Sequence, residues 1–258
     1  MIRPGLVSVT FRSRPPGEVA DLAAQAGLSG VEWGGDLHVP HGDTRAATTV
    51  AALTRDAGLD VAAYGSYYRV GHGEDEGDSF GAVLASAVDL GAHVIRVWAG
   101  RRGSAEADNA YRDRVVADAL RIVEMAHGAG IDVAYENHRG TLTDTDRSAR
   151  ELLHRVDHPS SRTLWQPSVP ESLSGNVARL AGVLPKLANV HVFAWSADRS
   201  RLPLARGRDE WRRYLATVAT TGRDHWALLE FVRRDDPDQM FADALVLSEL
   251  LDEVAVTT

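Results

Sequence analysis

The chain contains no cysteine, which removes disulfide staples and thiolate metal sites from consideration. It also lacks an excess of basic charge: 28 lysines and arginines against 36 aspartates and glutamates give a formal net charge of -8. Nucleic-acid binding is disfavoured on that ground, because it draws on lysine and arginine clusters that displace counterions from phosphates. The pairs Arg101-Arg102, Arg212-Arg213 and Arg233-Arg234 read as solvated faces. No stretch approaches the roughly 18 apolar residues of a membrane span. MIRPGLVSVTF at the start runs directly into strand-like sequence without a secretory pattern. The expectation is a cytoplasmic protein with no membrane partner. A glycine-rich phosphate turn is missing too, since the first apolar segment leads into FRSRPPGEV instead of GxGxxG. That argues against a doubly wound open sheet. The acidic GHGEDEGD stretch (71–78) would repel a phosphate and reads as a mobile loop over the site.

What is present is a repeated unit. Gly27, Gly58, Gly91 and Gly130 each close a helical stretch, and each is followed by an apolar run: GVEW (30–33), LDVAAY (59–64), AHVIRVW (92–98) and IDVAYE (131–136). RTLWQ (162–166), NVHVFAW (189–195) and HWALLEF (225–231) continue the series, and GLVSVTF (5–11) begins it. Between the strands apolar residues recur at helical spacing, as in Val19, Leu22, Ala23 and Ala26, or Val115, Ala119, Ile122, Val123 and Ala126. Ser148 and Glu151 have the spacing of a capping box ahead of ARELLHRV. Strands apolar nearly throughout are covered on both faces, as in parallel sheets. Eight strand–helix units without a linker make residues 1–258 a single α/β domain, a (β/α)8 TIM barrel, whose active site is built at the C-terminal strand ends.

Those ends carry chemistry. Glu136 closes IDVAYE and Glu230 lies at the end of ALLEF. A carboxylate at the end of a buried strand needs a metal, an arginine or a proton to compensate it; for Glu136 the candidate ion-pair partners are Arg139 and Arg96. His191 lies in NVHV, and Gln166 ends RTLWQ with an amide oxygen that can meet a metal or hydrogen-bond substrate. A lone histidine in an apolar strand is usually a satisfied core residue, but its coincidence with two strand-end glutamates favours a ligand. Glu/Glu/His with further oxygens suits Mn2+, Mg2+, Co2+ or Zn2+.

With YENH, NVHV and LLEF, the chain resembles the xylose-isomerase-like superfamily of sugar isomerases and epimerases over nearly its whole length. The resemblance implies one divalent metal held by Glu136, His191 and Glu230, with Glu136 and Glu230 also acting as an acid/base pair. Gln166 stands where the family has an aspartate ligand, and Val169 where a histidine often follows it. Around the mouth, Trp33, His38, Tyr64, Tyr67, Arg96, Trp98, His138, Trp165 and Trp195 are candidates for sugar binding by ring stacking and hydrogen bonding. Asp198, Arg201 and Arg206 follow the seventh strand, where relatives reach toward substrate. The leading expectation is a metal-dependent isomerase or epimerase working through an enediolate on a small sugar or sugar derivative. A lyase acting on an oxidised glycoside and a non-catalytic sugar-binding barrel are the alternatives. A DNA-repair endonuclease of the same superfamily would need a larger ligand set and a basic surface. A homodimer or homotetramer stands as the assembly this reading allows.

Overall fold

The computed structural model describes residues 1–257, and its sheet closes on itself. Eight parallel strands form the barrel: β1 (Ile2–Val7), β2 (Gly30–Gly34), β3 (Asp60–Arg69), β4 (Val94–Trp98), β5 (Asp132–Glu136), β6 (Ser161–Trp165), β7 (Leu187–Val192) and, after a small antiparallel ribbon of β8 (Ala194–Trp195) and β9 (Arg201–Leu202), β10 (His225–Leu229). The order around the barrel is β1-β10-β7-β6-β5-β4-β3-β2. Outside lie α1 (Pro16–Gln25), α2 (Thr44–Asp56), a single turn α3 (Gly73–Glu76), α4 (Phe80–Leu90), α5 (Asn109–Gly128), α6 (Asp146–Val156), α7 (Leu173–Val183), α8 (Arg208–Ala219) and α9 (Pro237–Thr257). No described helix is long and apolar enough to cross a membrane.

The repeated glycines have the backbone that their position requires. Gly27, Gly58, Gly91 and Gly130 sit at φ +73°, +76°, +78° and +73°, the left-handed conformation that ends a helix without a Cβ penalty. Three local expectations shift. The first strand ends at Val7, and Ser8–Phe11 turn as a 3-10 helix whose Ser8 hydroxyl accepts the Gly34 N–H. NVHVFAW breaks at Phe193 into β7 and β8. Helix α6 starts ahead of the expected capping box, with the Thr145 side chain accepting from Ser148 N.

Alternation along the strands separates two layers. Trp33 of β2 donates its indole N–H to Thr54 of α2, and Trp165 of β6 packs its ring against Trp211 and Tyr214 of α8. Both rings therefore belong to the apolar shell between barrel and helices. The opposite faces of the same strands carry Glu32 and Gln166 into the barrel. At the lower end of β10, Trp226 and Leu228 fill the interior beside Gly30 and Gly5, where added Cβ atoms would stand 2.6 and 2.7 Å from those side chains. Two residues further along the same face comes Glu230.

Segment 71–78 corrects the expectation of a mobile loop. It contains α3, pinned by ion pairs from Arg101 to Glu76, Arg114 to Asp75 and Arg121 to Glu74, and it lines no part of the cavity at the barrel mouth.

Candidate active site

Five charged side chains of alternating sign run through the interior of the barrel at its C-terminal end. Glu136, the last residue of β5, accepts from Arg96 Nη1 at 2.6 Å and Trp98 Nε1 at 2.5 Å through Oε2, and from Gln166 Nε2 at 2.9 Å through Oε1. Arg96, on β4, turns its Nε to Glu32 Oε1 at 2.7 Å. The other Glu32 oxygen meets His191 Nε2 at 3.1 Å. His191 Nδ1 lies 3.3 Å from Glu230 Oε2, an ion-pair distance without hydrogen-bond alignment, so both atoms are buried and lack a hydrogen-bond partner. Glu32 and His191 are fully buried, and Arg96, Glu136 and Glu230 are at most 6% exposed.

The charges hold one another in place. Burial alone would raise the Glu32 carboxyl, but the His191 and Arg96 charges outweigh it and bring the pKa to about 2. Burial would likewise discharge His191; Glu230 and Glu32 overcome that and lift it to about 10. Glu136, despite burial, is held below the ordinary carboxylate value by Arg96, with His191, His138 and the Trp98 hydrogen bond assisting. Three carboxylates are thus met by two cations.

Above this chain opens a cavity of about 860 Å³ whose wall includes Glu136, Gln166, Glu230, Arg96, Trp98 and His138. His138 stacks on Trp98 with ring centroids 4.7 Å apart, and Tyr67 meets the Trp98 ring edge-on at 5.5 Å. Tyr67, Arg199 and Phe231, all on this wall, hold φ of +58°, +64° and +54°. Such backbone costs about 1–3 kcal/mol per residue and concentrates at functional sites. A second depression, of about 780 Å³, lies at the N-terminal end and holds the ion pairs Arg3–Asp60 and Arg162–Asp132.

The structure sorts the residues expected at the mouth. Arg96, Trp98, His138, Trp195 and Tyr67 line the cavity, together with Glu136, Gln166 and Glu230. Fully buried His191 stands behind them. Trp33, Tyr64 and Trp165 do not reach it: all three are fully buried, and the Tyr64 hydroxyl donates to Val39 O. His38 is bound through both ring nitrogens, to Ser8 Oγ and Arg14 O. Arg206 is exposed and borders an adjoining hollow, and Asp198 is tied within its own turn to Ser196 and Ser200. Of the two candidate partners for Glu136, Arg96 makes the pair, while Arg139 is exposed. Sequence reasoning missed Glu32. The signal was there in GVEW, a carboxylate inside an apolar strand, the same feature that marked Glu136 and Glu230.

The donor set bears on the metal that the family resemblance implies. Among the described residues no three His, Asp and Glu side chains are already gathered at metal-binding spacing. His191 Nδ1 and Glu230 Oε2, buried 3.3 Å apart without an aligned hydrogen bond, become a pair of ligand donors once Nδ1 gives up its proton. Gln166 commits its nitrogen to Glu136 Oε1 and Asn137 O, which leaves its amide oxygen free, and Glu136 Oε1 has only that amide as partner. These four residues fit a divalent cation by donor type.

A family model described as xylose isomerase-like TIM barrel matches residues 20–250. The chain belongs to that family. A 3-dehydroshikimate dehydratase of Bacillus anthracis is 29% identical over 173 residues, an alignment covering 60% of this chain and 61% of that protein. The solved structure of a probable 3-DHS dehydratase involved in petrobactin synthesis, also from Bacillus anthracis, superposes with a TM-score of 0.82 at 22% identity, covering 96% of this chain and 99% of that one. D-psicose 3-epimerase from Clostridium cellulolyticum H10, solved with D-tagatose, gives 0.76 at 14% identity over 98% of this chain and 97% of its own. At these identities the solved structures establish the shared fold.

Proposed function

We propose that this xylose isomerase-like barrel is an enzyme that removes a proton next to the carbonyl of a small polyhydroxylated substrate and then expels water from the neighbouring carbon. Support comes first from the two unlike glutamates at the mouth. Glu136 is kept as a carboxylate by Arg96 and Trp98, which grip one oxygen and leave Oε1 facing only a neutral amide. Glu230 follows β10, with β7 and β6 between it and β5, and has a buried oxygen without a hydrogen-bond partner. Environments that differ this way separate the base from the acid.

In this reading the Glu136 carboxylate takes the proton from the carbon beside the carbonyl. Glu230, after taking up a proton from solvent through the open cavity, delivers it to the departing hydroxyl, which leaves as water; Glu136 then returns its proton to solvent. Arg96 holds Glu136 in the ionised form that a base needs, and the stacked Trp98 and His138 rings give the carbon skeleton an apolar wall. A divalent cation held by His191, Glu230, Glu136 and Gln166 would supply positive charge for the oxygen of the enolate. The dehydratase relative supports elimination. The epimerase neighbour supports a second reading, in which Glu230 returns the proton to the opposite face of the same carbon.

The test is to incubate the protein with Mn2+ and either 3-dehydroshikimate or D-tagatose in deuterated water and follow both by NMR. Elimination predicts loss of water, and epimerisation predicts deuterium at a carbon next to the carbonyl with no loss of mass. Glu136→Gln should lower the rate about 100- to 10,000-fold even at saturating Mn2+. Parent-like turnover by that variant would refute the assignment of the base.

A further inference from the structure

The cavity at the barrel mouth is basic in a chain that is acidic. Its wall holds six arginines, Arg12, Arg96, Arg139, Arg179, Arg199 and Arg201, against four carboxylates, Glu136, Asp144, Glu171 and Glu230, although the whole chain carries -8. Three of the arginines are occupied. Arg96 bridges Glu32 and Glu136, Arg12 meets Asp36 at 3.2 Å, and Arg201 meets Asp235 at 2.5 Å. The other three have no ion-pair partner among the described residues. Arg139 and Arg199 are exposed. Arg179 is half-buried, gives Nη2 to the Asp144 carbonyl at 3.0 Å, and has a buried Nε with no partner. The carboxylates nearby make no ion pair with these three arginines: Glu171 accepts from Ser172, and Asp144 accepts from Ser104 N through Oδ2 while its Oδ1 is buried without a partner.

These three arginines line one cavity from separate elements: Arg139 from the segment after β5, Arg179 from α7 and Arg199 from the turn between β8 and β9. That turn is fixed by the bond from Arg199 N to Ser196 O at 2.8 Å. A neutral sugar can only accept single hydrogen bonds from these cations, whereas the planar fork of arginine matches both the charge and the paired oxygens of a carboxylate or phosphate. We propose that Arg139, Arg179 and Arg199 bind an oxyanion of the substrate, so that the enzyme prefers an acidic or phosphorylated polyhydroxy carbonyl compound over a neutral one. This specificity rests on the proton-transfer reading above. It places the anion at the rim and the reacting carbon below it, at Glu136.

Three six-carbon probes without an aldehyde or ketone test it: D-glucitol, D-gluconate and D-glucitol 6-phosphate, each titrated by calorimetry. At least one acid should bind about 10- to 100-fold more tightly than D-glucitol. The double variant Arg139→Gln/Arg199→Gln, altered only at exposed positions, should bring that acid down to the affinity of D-glucitol. The stronger of the two acids identifies the anion as carboxylate or phosphate. Glu136→Gln should keep the preference, which separates failure of the rim assignment from failure of the proposed base. D-Glucitol binding as tightly as both acids, no saturable binding of either acid, or a preference that survives the double variant overturns the proposal.

Discussion

Replacing Glu32 with glutamine removes the one carboxylate that touches both buried cations. The lowering of its pKa from 4.5 to about 2 corresponds to about 3 kcal/mol of folding stability at roughly 1.4 kcal/mol per pH unit. Because the folded value is depressed, this contribution is complete above pH 4.5 and is lost as pH falls toward 2. His191 works in the opposite direction. Its value is raised from 6.5 to about 10, so its contribution, about 5 kcal/mol by the same conversion, is complete below pH 6.5 and is lost as pH rises through 10. The Glu32–His191 contact is shared by both figures, which therefore do not add.

In Glu32→Gln, Arg96 keeps only Glu136 and His191 keeps only Glu230. Removal of one partner from a buried ion network typically costs about 3–5 kcal/mol, which agrees with the linkage figure. Urea unfolding in EDTA at pH 7 should therefore show the variant about 3 kcal/mol less stable than the parent. The gap should narrow toward pH 3, because below 4.5 the unfolded carboxylate takes up a proton that the folded one refuses down to about 2. It should also narrow toward pH 10, where the parent imidazolium loses a proton that the variant holds less firmly throughout. A deficit under about 1 kcal/mol at pH 7, or a deficit unchanged between pH 3 and pH 10, would refute the account of a mutually stabilised buried network.

Gly65→Ala would put a Cβ 2.5 Å from Arg96 Nη2 and 2.8 Å from Glu32 Oε1. It should lower stability by about 1–3 kcal/mol through overpacking, while Gly17→Ala, whose nearest contact is 3.9 Å away, leaves the urea midpoint nearly unchanged. Gln166→Asp should tighten Mn2+ binding in a calorimetric titration by adding a charge, and should destabilise the metal-free protein by setting a carboxylate against Glu136 Oε1; unchanged affinity would place Gln166 outside the ligand set.

The barrel was legible because its signals are local. Glycines at helix ends, apolar strands and helical spacing repeat along the chain, and each has one structural meaning. Glu136, Gln166, His191 and Glu230 could be found because strand ends on one barrel face converge. The errors at Trp33 and Trp165 come from treating every residue near a strand end as facing the mouth. Alternation forbids that: if Gln166 points inward, its neighbour Trp165 points to the helices, and if Trp33 packs on α2, Glu32 points inward. Tyr64 escapes even this correction, because β3 shifts register opposite Val31 and Glu32 and Gly65 faces the interior beside Arg96. The ion pairs that fix 71–78 join residues up to 47 positions apart, so no local pattern announces them.

The departure at Gln166 acquires a physical reason once Glu32 and Arg96 are counted. Glu32, Glu136 and Glu230 bring three negative charges into a nearly water-free interior, and Arg96 brings a permanent positive one. With His191 protonated the cluster is left with one negative charge in excess. A divalent cation taken up at His191 Nδ1 in exchange for the imidazole proton would bring it to neutrality, and an aspartate at position 166 would return the excess. Unbalanced charge is costly where solvent cannot screen it. An amide at this position is therefore the choice that lets the cluster carry Glu32 as an additional carboxylate and still reach zero charge with a cation bound. The same sum ties the two sides of the barrel together, because the residue on β2 sets how much negative charge the end of β6 can supply.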